Sequence, residues 1–295
     1  MKLISVDEKS DIRIDKYLID ILNISRSRIQ KLIEEEKILV NDAIVKSSHI
    51  VRVDDEIKIE DIIEETNDVL PVKMNLDIVY EDKYLLVINK PSGMVVHPSI
   101  GHYNDTLVNG IMYHYNLSND NNRAGIVHRI DKDTSGLLLI AKDDDTHFYL
   151  SKEIQKRNVN RIYLALVSGV IPHDTGTIDA PIGRDLNDRK KMNVTDVNSK
   201  NAITNFKVLK RYKTATLIEC KLDTGRTHQI RVHMKYIGYP IINDSVYGKQ
   251  IINDYGQMLH AKTIGFNHPI TKEYMEFSVD AEKEFYEILK KYEEE

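Results

Sequence analysis

The sequence predicts an α+β protein in two parts, a small N-terminal module and a larger unit. Three observations carry this. The chain has 295 residues, long for one compact core. Apolar patterns of strand and helix period both occur, but they do not alternate as a doubly wound parallel sheet requires. An acidic stretch running into Pro71 separates residues 1–68 from a strand-rich region that opens at Leu76. Residues 69–75 read as a linker and residues 76–295 as the larger unit.

In the module, Asp15 to Leu22 has helical spacing. Ser25 or Ser27 can cap a second helix that carries Ile29, Leu32 and Ile33 on one face. Ile38–Val40, an Asn41-Asp42 turn and Ile44-Val45 follow. Val51–Val53 and Ile57–Ile59 then alternate like half-buried strands. Arg26, Arg28 and Lys31 cluster early in the second helix, where added cations suit phosphate binding or form a solvated face. Beyond the linker, strands are expected at Leu76–Tyr80, Tyr84–Asn89, Gly136–Ala141, Ile162–Val167, Asn205–Leu209 and Thr216–Leu222. Helices are expected at Asp144–Arg157, Thr227–Ile237 (closed by Gly238) and Ala281–Tyr292.

Hydrophobic residues make up 41% and charged residues 29%, which excludes disordered, collagen-like and disulfide-scaffold classes. No apolar run approaches the ~20 residues of a membrane helix. The N-terminus is charged and lacks an apolar signal core. Cys220 is the single cysteine, so an internal disulfide and multi-cysteine metal sites are excluded, and a reducing cytoplasm is the expected home. Net charge is −5, yet residues 181–235 hold 13 Lys and Arg against 5 Asp and Glu. A basic segment in an acidic chain marks either a polyanion surface or a solvated loop.

Four runs look costly for plain structure. KPSGMVVHP (residues 90–98) makes a rigid loop after a strand. GIVHRIDKDTSGLLLIAK (125–142) leads a dense polar cluster into an apolar strand, which places Asp131 at the mouth of the core. A carboxylate there needs a cation or donors to stay ionised, unless it only bonds its own turn. RIYLALVSG (161–169) reads as a strand with Tyr163 near its start. LDTGRTHQIRVH (222–233) ends a strand, turns at Gly225 and begins a helix near Thr227, with Arg226 at the junction. His228 and His233 are five apart rather than the four of a helical zinc pair, which disfavours zinc hydrolysis.

Together the runs resemble the RluA-type pseudouridine synthases, closest to their large-subunit ribosomal D branch. HRIDKDTSGLLL is similar to that family's HRLD-x-x-TSG-LL, with Ile130 in place of leucine. KPSGMVVHP, RIYLALVSG, PIGRD…RKKM, TGRTHQIRVH and LHA (259–261) occur in the family's order. The run from RIDKYL to DDEIKI resembles an S4 RNA-binding domain, although residues 11–60 hold 9 Lys and Arg against 11 Asp and Glu.

The resemblance implies a mixed, mainly antiparallel central sheet and an enzyme that isomerises uridine in RNA, without cofactor or metal. It assigns the essential carboxylate to Asp131 and the ring stacked on the uracil to Tyr163. Arg226 is the candidate that pairs with Asp131 and keeps it ionised, with Arg231 as the alternative. Ile230 is expected at the pocket wall. Arg129 is expected to fill the stack left by an extruded base, and His128 to lie at the substrate or serve structure. Structured RNA is the implied partner, with 23S ribosomal RNA or its large-subunit precursor as the leading case and no obligate protein partner. Rival readings are a pure RNA-binding protein and a two-carboxylate hydrolase, for which Asp133 is the formal second acid.

Overall fold

The computed structural model describes residues 2–6, 11–22, 26–60, 69–99, 101–115, 124–188, 191–248 and 251–294. The chain divides into two compact units, Met1–Asp68 and Val69–Glu295.

The first unit runs β1 (Lys2–Ser5), β2 (Ile12–Arg13), α1 (Ile14–Leu22), α2 (Arg26–Glu34), β3 (Ile38–Val40), β4 (Ala43–Ile44), β5 (Ile50–Val51) and β6 (Glu56–Ile59). Its four-stranded sheet has the order β1-β6-β3-β4, and β2 pairs with β5. Asn41 and Asp42 both adopt positive φ (52° and 62°), the backbone that lets two residues join β3 to β4. Ile14, Leu18, Ile29, Leu32, Ile38, Ile57 and Ile59 close one core. Ser25, one of the two cap candidates, lies outside the described residues, and Ser27 is already inside α2.

The second unit continues with β7 (Asp77–Glu81), β8 (Leu85–Lys90), α3 (Leu107–His114), β9 (Ser135–Ala141), α4 (Asp144–Gln155), β10 (Asn160–Ser168), β11 (Thr175–Asp179), β12 (Ile182–Arg184) and β13 (Met192–Val194). It ends with β14 (Ile203–Arg211), β15 (Ala215–Leu222), α5 (Gln229–Tyr236), β16 (Leu259–Asn267), β17 (Tyr274–Ser278) and α6 (Lys283–Glu293). The large sheet has the order β11-β14-β15-β10-β16-β9-β8-β7, with β17 on β16. Its pairings are antiparallel except β16 with β9, where His260 and Ala261 meet Ser135 and Gly136. The class is α+β, as the irregular order of strands and helices implied, and the sheet is mixed and mainly antiparallel, as the resemblance implied.

All seven residues of β9 are buried. Leu138 and Ile140 join one core cluster with residues of α3 and α6. Leu137, Leu139 and Ala141 join another with Leu150 of α4. Burial on both faces is why this strand reads as a continuous apolar run rather than an alternating one. Residues 69–72 are strapped to α3: Val72 N–H donates to Asn109 O (3.0 Å), and Asn109 Nδ2 donates to Leu70 O (2.8 Å).

Helix α5 begins two residues later than its sequence pattern suggests. His228 takes φ +56° at its N-cap, and Gln229 folds back so that Oε1 accepts from Arg226 N–H (2.9 Å) and Thr224 Oγ1 (2.8 Å). Arg226 therefore lies in the turn and Arg231 in the first helical turn. Strand β16, central to the sheet, is not among the strands expected from the sequence, which offers only the LHA motif at its start. Its residues mix polar and apolar types without a clean period, because its burial is dictated by neighbouring strands.

Candidate active site

The loop 128–134, the start of β10, the turn 222–228 and the first turn of α5 line one cavity of about 470 Å³. It holds His128, Arg129, Ile130, Asp131, Arg161, Tyr163, Arg226, His228, Ile230 and Arg231.

Glycine fixes the foundation. Gly136 has φ +107°, and a Cβ there would stand 2.3 Å from Ala261 O, so the parallel contact of β9 with β16 forms only with glycine. Beside it, Ser135 Oγ and His260 Nδ1 are 2.9 Å apart, and His260 Nε2 lies 3.1 Å from Val279 O. Lys90 anchors the loop itself. Its fully buried Nζ donates to Pro91 O (2.7 Å), Met94 O (2.8 Å) and Lys132 O (2.8 Å), which joins the KPSG loop to the residue after Asp131. Burial pulls its pKa down to about 7, opposed by the charges of Asp133, Glu282 and Asp131. Three carbonyls matched to three donors are nevertheless the surroundings of an ammonium.

Asp131 is 19% exposed at the cavity. Its Oδ2 accepts from Arg231 Nη1 at 2.8 Å, while Oδ1 stands 3.9 Å from His228 Nε2. Arg231 is held from behind: Nε and Nη2 donate to the two oxygens of fully buried Asp244 at 2.7 and 2.9 Å. Asp244 Oδ1 also accepts from the N–H groups of Val246 (2.9 Å) and Tyr247 (3.0 Å). The Tyr247 ring lies 5.0 Å from the Arg231 guanidinium carbon. Burial works against the Arg231 charge, but Asp244 and Asp131 outweigh it and raise its pKa. Burial likewise opposes ionised Asp244, and Arg231 reverses that. One permanently charged guanidinium thus bridges two carboxylates, and only Asp131 reaches the cavity.

This corrects the expected partner. Arg226 does not pair with Asp131; its Nε donates to Asn201 O at 2.9 Å, and it lies half-buried at the cavity wall. Arg231 makes that pairing instead. The sequence alone does not single it out. An arginine in the first turn of a helix faces the positive end of the helix dipole, so one that is buried there needs a carboxylate.

Tyr163 is buried, and its pKa is raised by burial and by the Asp131 charge, with Arg161 opposing. Ile230 is buried in the lining, and Arg129 is exposed at the rim. His128 also lines the cavity, but its Nε2 accepts from Leu139 N–H (3.0 Å). Burial and the Arg161 charge lower its pKa to about 3, so it is neutral and its acceptor is spent on β9. Asp133 does not line the cavity.

The basic stretch 181–235 is less free than its composition suggests. Lys191, Lys210, Arg211 and Arg231 face Asp188 (3.4 Å), Glu293 (2.7 Å), Asp174 (2.6 Å) and the Asp131–Asp244 pair. Most of those acids come from outside the stretch; Arg189 and Lys190 lie outside the described residues. In the N-terminal unit, Arg26 is turned into Asp15, with Nη2 to Oδ2 at 2.8 Å. Lys31 lies 3.7 Å from Glu35 Oε1, and the Arg28 charge acts on the same Glu35. Positions 28 and 31 share a helix face, and position 26 points elsewhere.

Comparison with known proteins bears on the family and the fold. Residues 84–236 match the RNA pseudouridylate synthase family, and residues 12–57 match the S4 domain. An uncharacterized RNA pseudouridine synthase of Bacillus subtilis, YlyB, is 49% identical over 97% of this chain and 95% of its own. Ribosomal large subunit pseudouridine synthase D of Pseudomonas aeruginosa is 41% identical over 90% of this chain and 87% of its own. The structure of human RNA pseudouridylate synthase domain containing 1 superposes with a TM-score of 0.58 at 28% identity, over 70% of this chain and 83% of that one. No helix among the described residues is long and apolar enough to cross a membrane. With 49% identity across nearly its whole length to one such relative, and the family's pattern over more than half of its residues, the chain belongs to the RNA pseudouridine synthases, isomerases that act on RNA, and carries an S4 domain ahead of the synthase region.

Proposed function

We propose that this synthase isomerises uridines of 23S ribosomal RNA and that Asp131 is the reacting carboxylate. The observation that carries the second part is the asymmetry of Asp131. One oxygen is held by Arg231 at 2.8 Å, and the other makes no hydrogen bond among the described residues and faces the cavity. Isomerisation breaks N1–C1′, turns the uracil and joins C5 to C1′. The C5 proton is lost and N1 gains one, so the atoms balance without an oxidant or reductant. An oriented, ionised carboxylate can meet the electron deficit at C1′ or take a proton from the sugar.

The remaining roles are those the family resemblance implies, and the positions of the residues support them. Tyr163 offers a ring face on which the detached base can turn, and Ile230 packs at the pocket wall. Arg129, exposed at the rim beside the reacting residue, is placed to fill the stack vacated by an extruded uridine. Arg226 suits a phosphate at the cavity edge. Arg28 and Lys31 supply the S4 domain's cationic face for RNA capture. The ribosomal assignment rests on the 41% identical relative named a ribosomal large subunit synthase. A cytoplasmic location follows from such a substrate and agrees with one buried, unpaired Cys220.

The test is pseudouridine mapping of total RNA from cells with and without the gene. Loss of specific pseudouridines from 23S RNA is the expected result. Losses confined to transfer RNA would overturn the ribosomal assignment.

A further inference from the structure

Arg161 is the outlier among the cavity's cations. Arg129 and Arg157 are exposed at the rim, Arg226 is half-buried and bonded to Asn201 O, and Arg231 has two carboxylates. Arg161 is 6% exposed, and its buried Nε has no hydrogen-bond partner among the described residues. Among the described residues no carboxylate lies within ion-pairing distance of it. Its charge instead bears on the Tyr163 phenol and on neutral His128. An unpaired, desolvated guanidinium is costly to keep, so one that lines a ligand cavity calls for a partner that arrives with the ligand.

Two features aim it inward. Arg161 and Tyr163 are two apart on β10 and so share a face of the strand. The irregularity in pairing with β16 leaves that alternation intact, because Ile162 meets Thr263 and Tyr163 meets Ala261, and the extra residue is Lys262 on the other strand. Across the cavity, Gly225 leaves the room: a Cβ at that position would stand 2.8 Å from Arg161 Nη1.

We propose that Arg161 is a catalytic residue that donates hydrogen bonds to a carbonyl oxygen of the uracil and stabilises the charge it gains on detachment. This rests on the pseudouridine synthase reading of the cavity. When N1–C1′ breaks, the bonding pair goes to N1 and spreads onto O2 and O4, while Asp131 meets the deficit at C1′. Arg161 transfers no proton; its N–H groups point at the oxygen where negative charge develops, in a site with little competing water. When C5 attacks C1′ the charge leaves those oxygens and the interaction weakens again. A phosphodiester is the lesser fit, because the backbone remains at the rim with Arg129, Arg157 and Arg226, whereas Arg161 lies beside the ring proposed to hold the base.

The test compares Arg161→Met and Arg161→Lys with the wild type in single turnover at saturating RNA. The RNA is one in which the wild type forms pseudouridine, transcribed with uridine or with 5-fluorouridine, whose base leaves more readily as an anion. Glycosidic bond cleavage is followed by mass spectrometry of nuclease digests. Arg161→Met should slow the uridine RNA about 10²–10³-fold, with RNA affinity within about threefold. The loss should shrink at least tenfold on 5-fluorouridine RNA, and Arg161→Lys should lose less on both. Arg161→Met should melt no lower than wild type, since it removes an unpaired buried charge. Wild-type rates, an equal loss on both RNAs, or a loss that appears as weakened RNA binding would each overturn the role. A wild type that forms no pseudouridine in any RNA would instead remove the functional reading on which the role stands.

Discussion

Two aspartates, one in each unit, meet arginine in opposite ways. Asp15 in the N-terminal unit is 0% exposed and accepts from Arg13 Nε and Nη2, Arg26 Nε and Nη2, and Gln30 Nε2, all at 2.8–3.1 Å. Burial pushes its pKa up, but those hydrogen bonds prevail and bring it to about 2. Among the described residues, Asp131 in the larger unit has one arginine contact, one oxygen without a hydrogen bond and a cavity in front of it. A carboxylate with both oxygens engaged is a fastener. A carboxylate held on one side and open on the other can react.

The comparison breaks most visibly if the hold on Asp131 is removed. Arg231→Met leaves two facing carboxylates without their shared cation. Single-turnover pseudouridine formation should fall about 10³-fold and the larger unit should lose about 3–5 kcal/mol, as for a broken buried pair. Arg231→Lys should restore little, because an ammonium cannot make the two-pronged contact with Asp244 while reaching Asp131. A variant with near-wild-type rates would mean that orientation of Asp131 comes from elsewhere.

The fastener is tested by acid. The Asp15 pKa is lowered from 3.8 to about 2 in the folded state, so between those values the unfolded chain binds more protons. The stabilisation is complete above pH 4 and is lost as pH falls through 2. Since Arg13 and Arg26 are 38% and 44% exposed, screening reduces it to about 1–2 kcal/mol. Asp15→Asn should therefore lower the melting of the N-terminal unit at pH 7 and flatten its acid dependence, with single-turnover chemistry at saturating RNA retained. An unchanged acid profile would deny Asp15 that role.

The smallest effect is expected at Arg226, the partner expected from its place at the junction of strand and helix. Arg226→Ala should weaken RNA binding a few-fold and reduce the salt slope by about one phosphate contact, leaving the saturated rate within about fivefold. A loss as large as that of Arg231→Met would restore Arg226 to the reacting centre.

Much of this was legible in the sequence. Continuous apolar runs marked β8, β9 and β10, and the family resemblance carried by the motifs implied that Asp131, Tyr163 and Ile230 share one pocket. What was not legible depended on partners far along the chain. Choosing Arg231 over Arg226 needed the first turn of α5 and Asp244, and the purpose of Lys90 needed Lys132, 42 positions away. The free charge of residues 181–235 could not be read from composition, because Asp174, Asp244 and Glu293 answer part of it from outside. In the sequence Arg161 stands only as the first residue of the RIYLALVSG run. Its lack of a partner is a property of the packed cavity and has no sequence signature.

The most direct measurement is tritium release from C5-labelled uridine in the substrate RNA by Asp131→Asn. Asparagine keeps the size and the turn-forming oxygen but removes the negative charge and most of the nucleophilicity. The expected result is no release above background in single turnover, with melting and RNA affinity close to wild type. Substantial release by the folded variant, after deamidation and contaminating enzyme are excluded, would contradict Asp131 as the reacting carboxylate and require another group for the deficit at C1′.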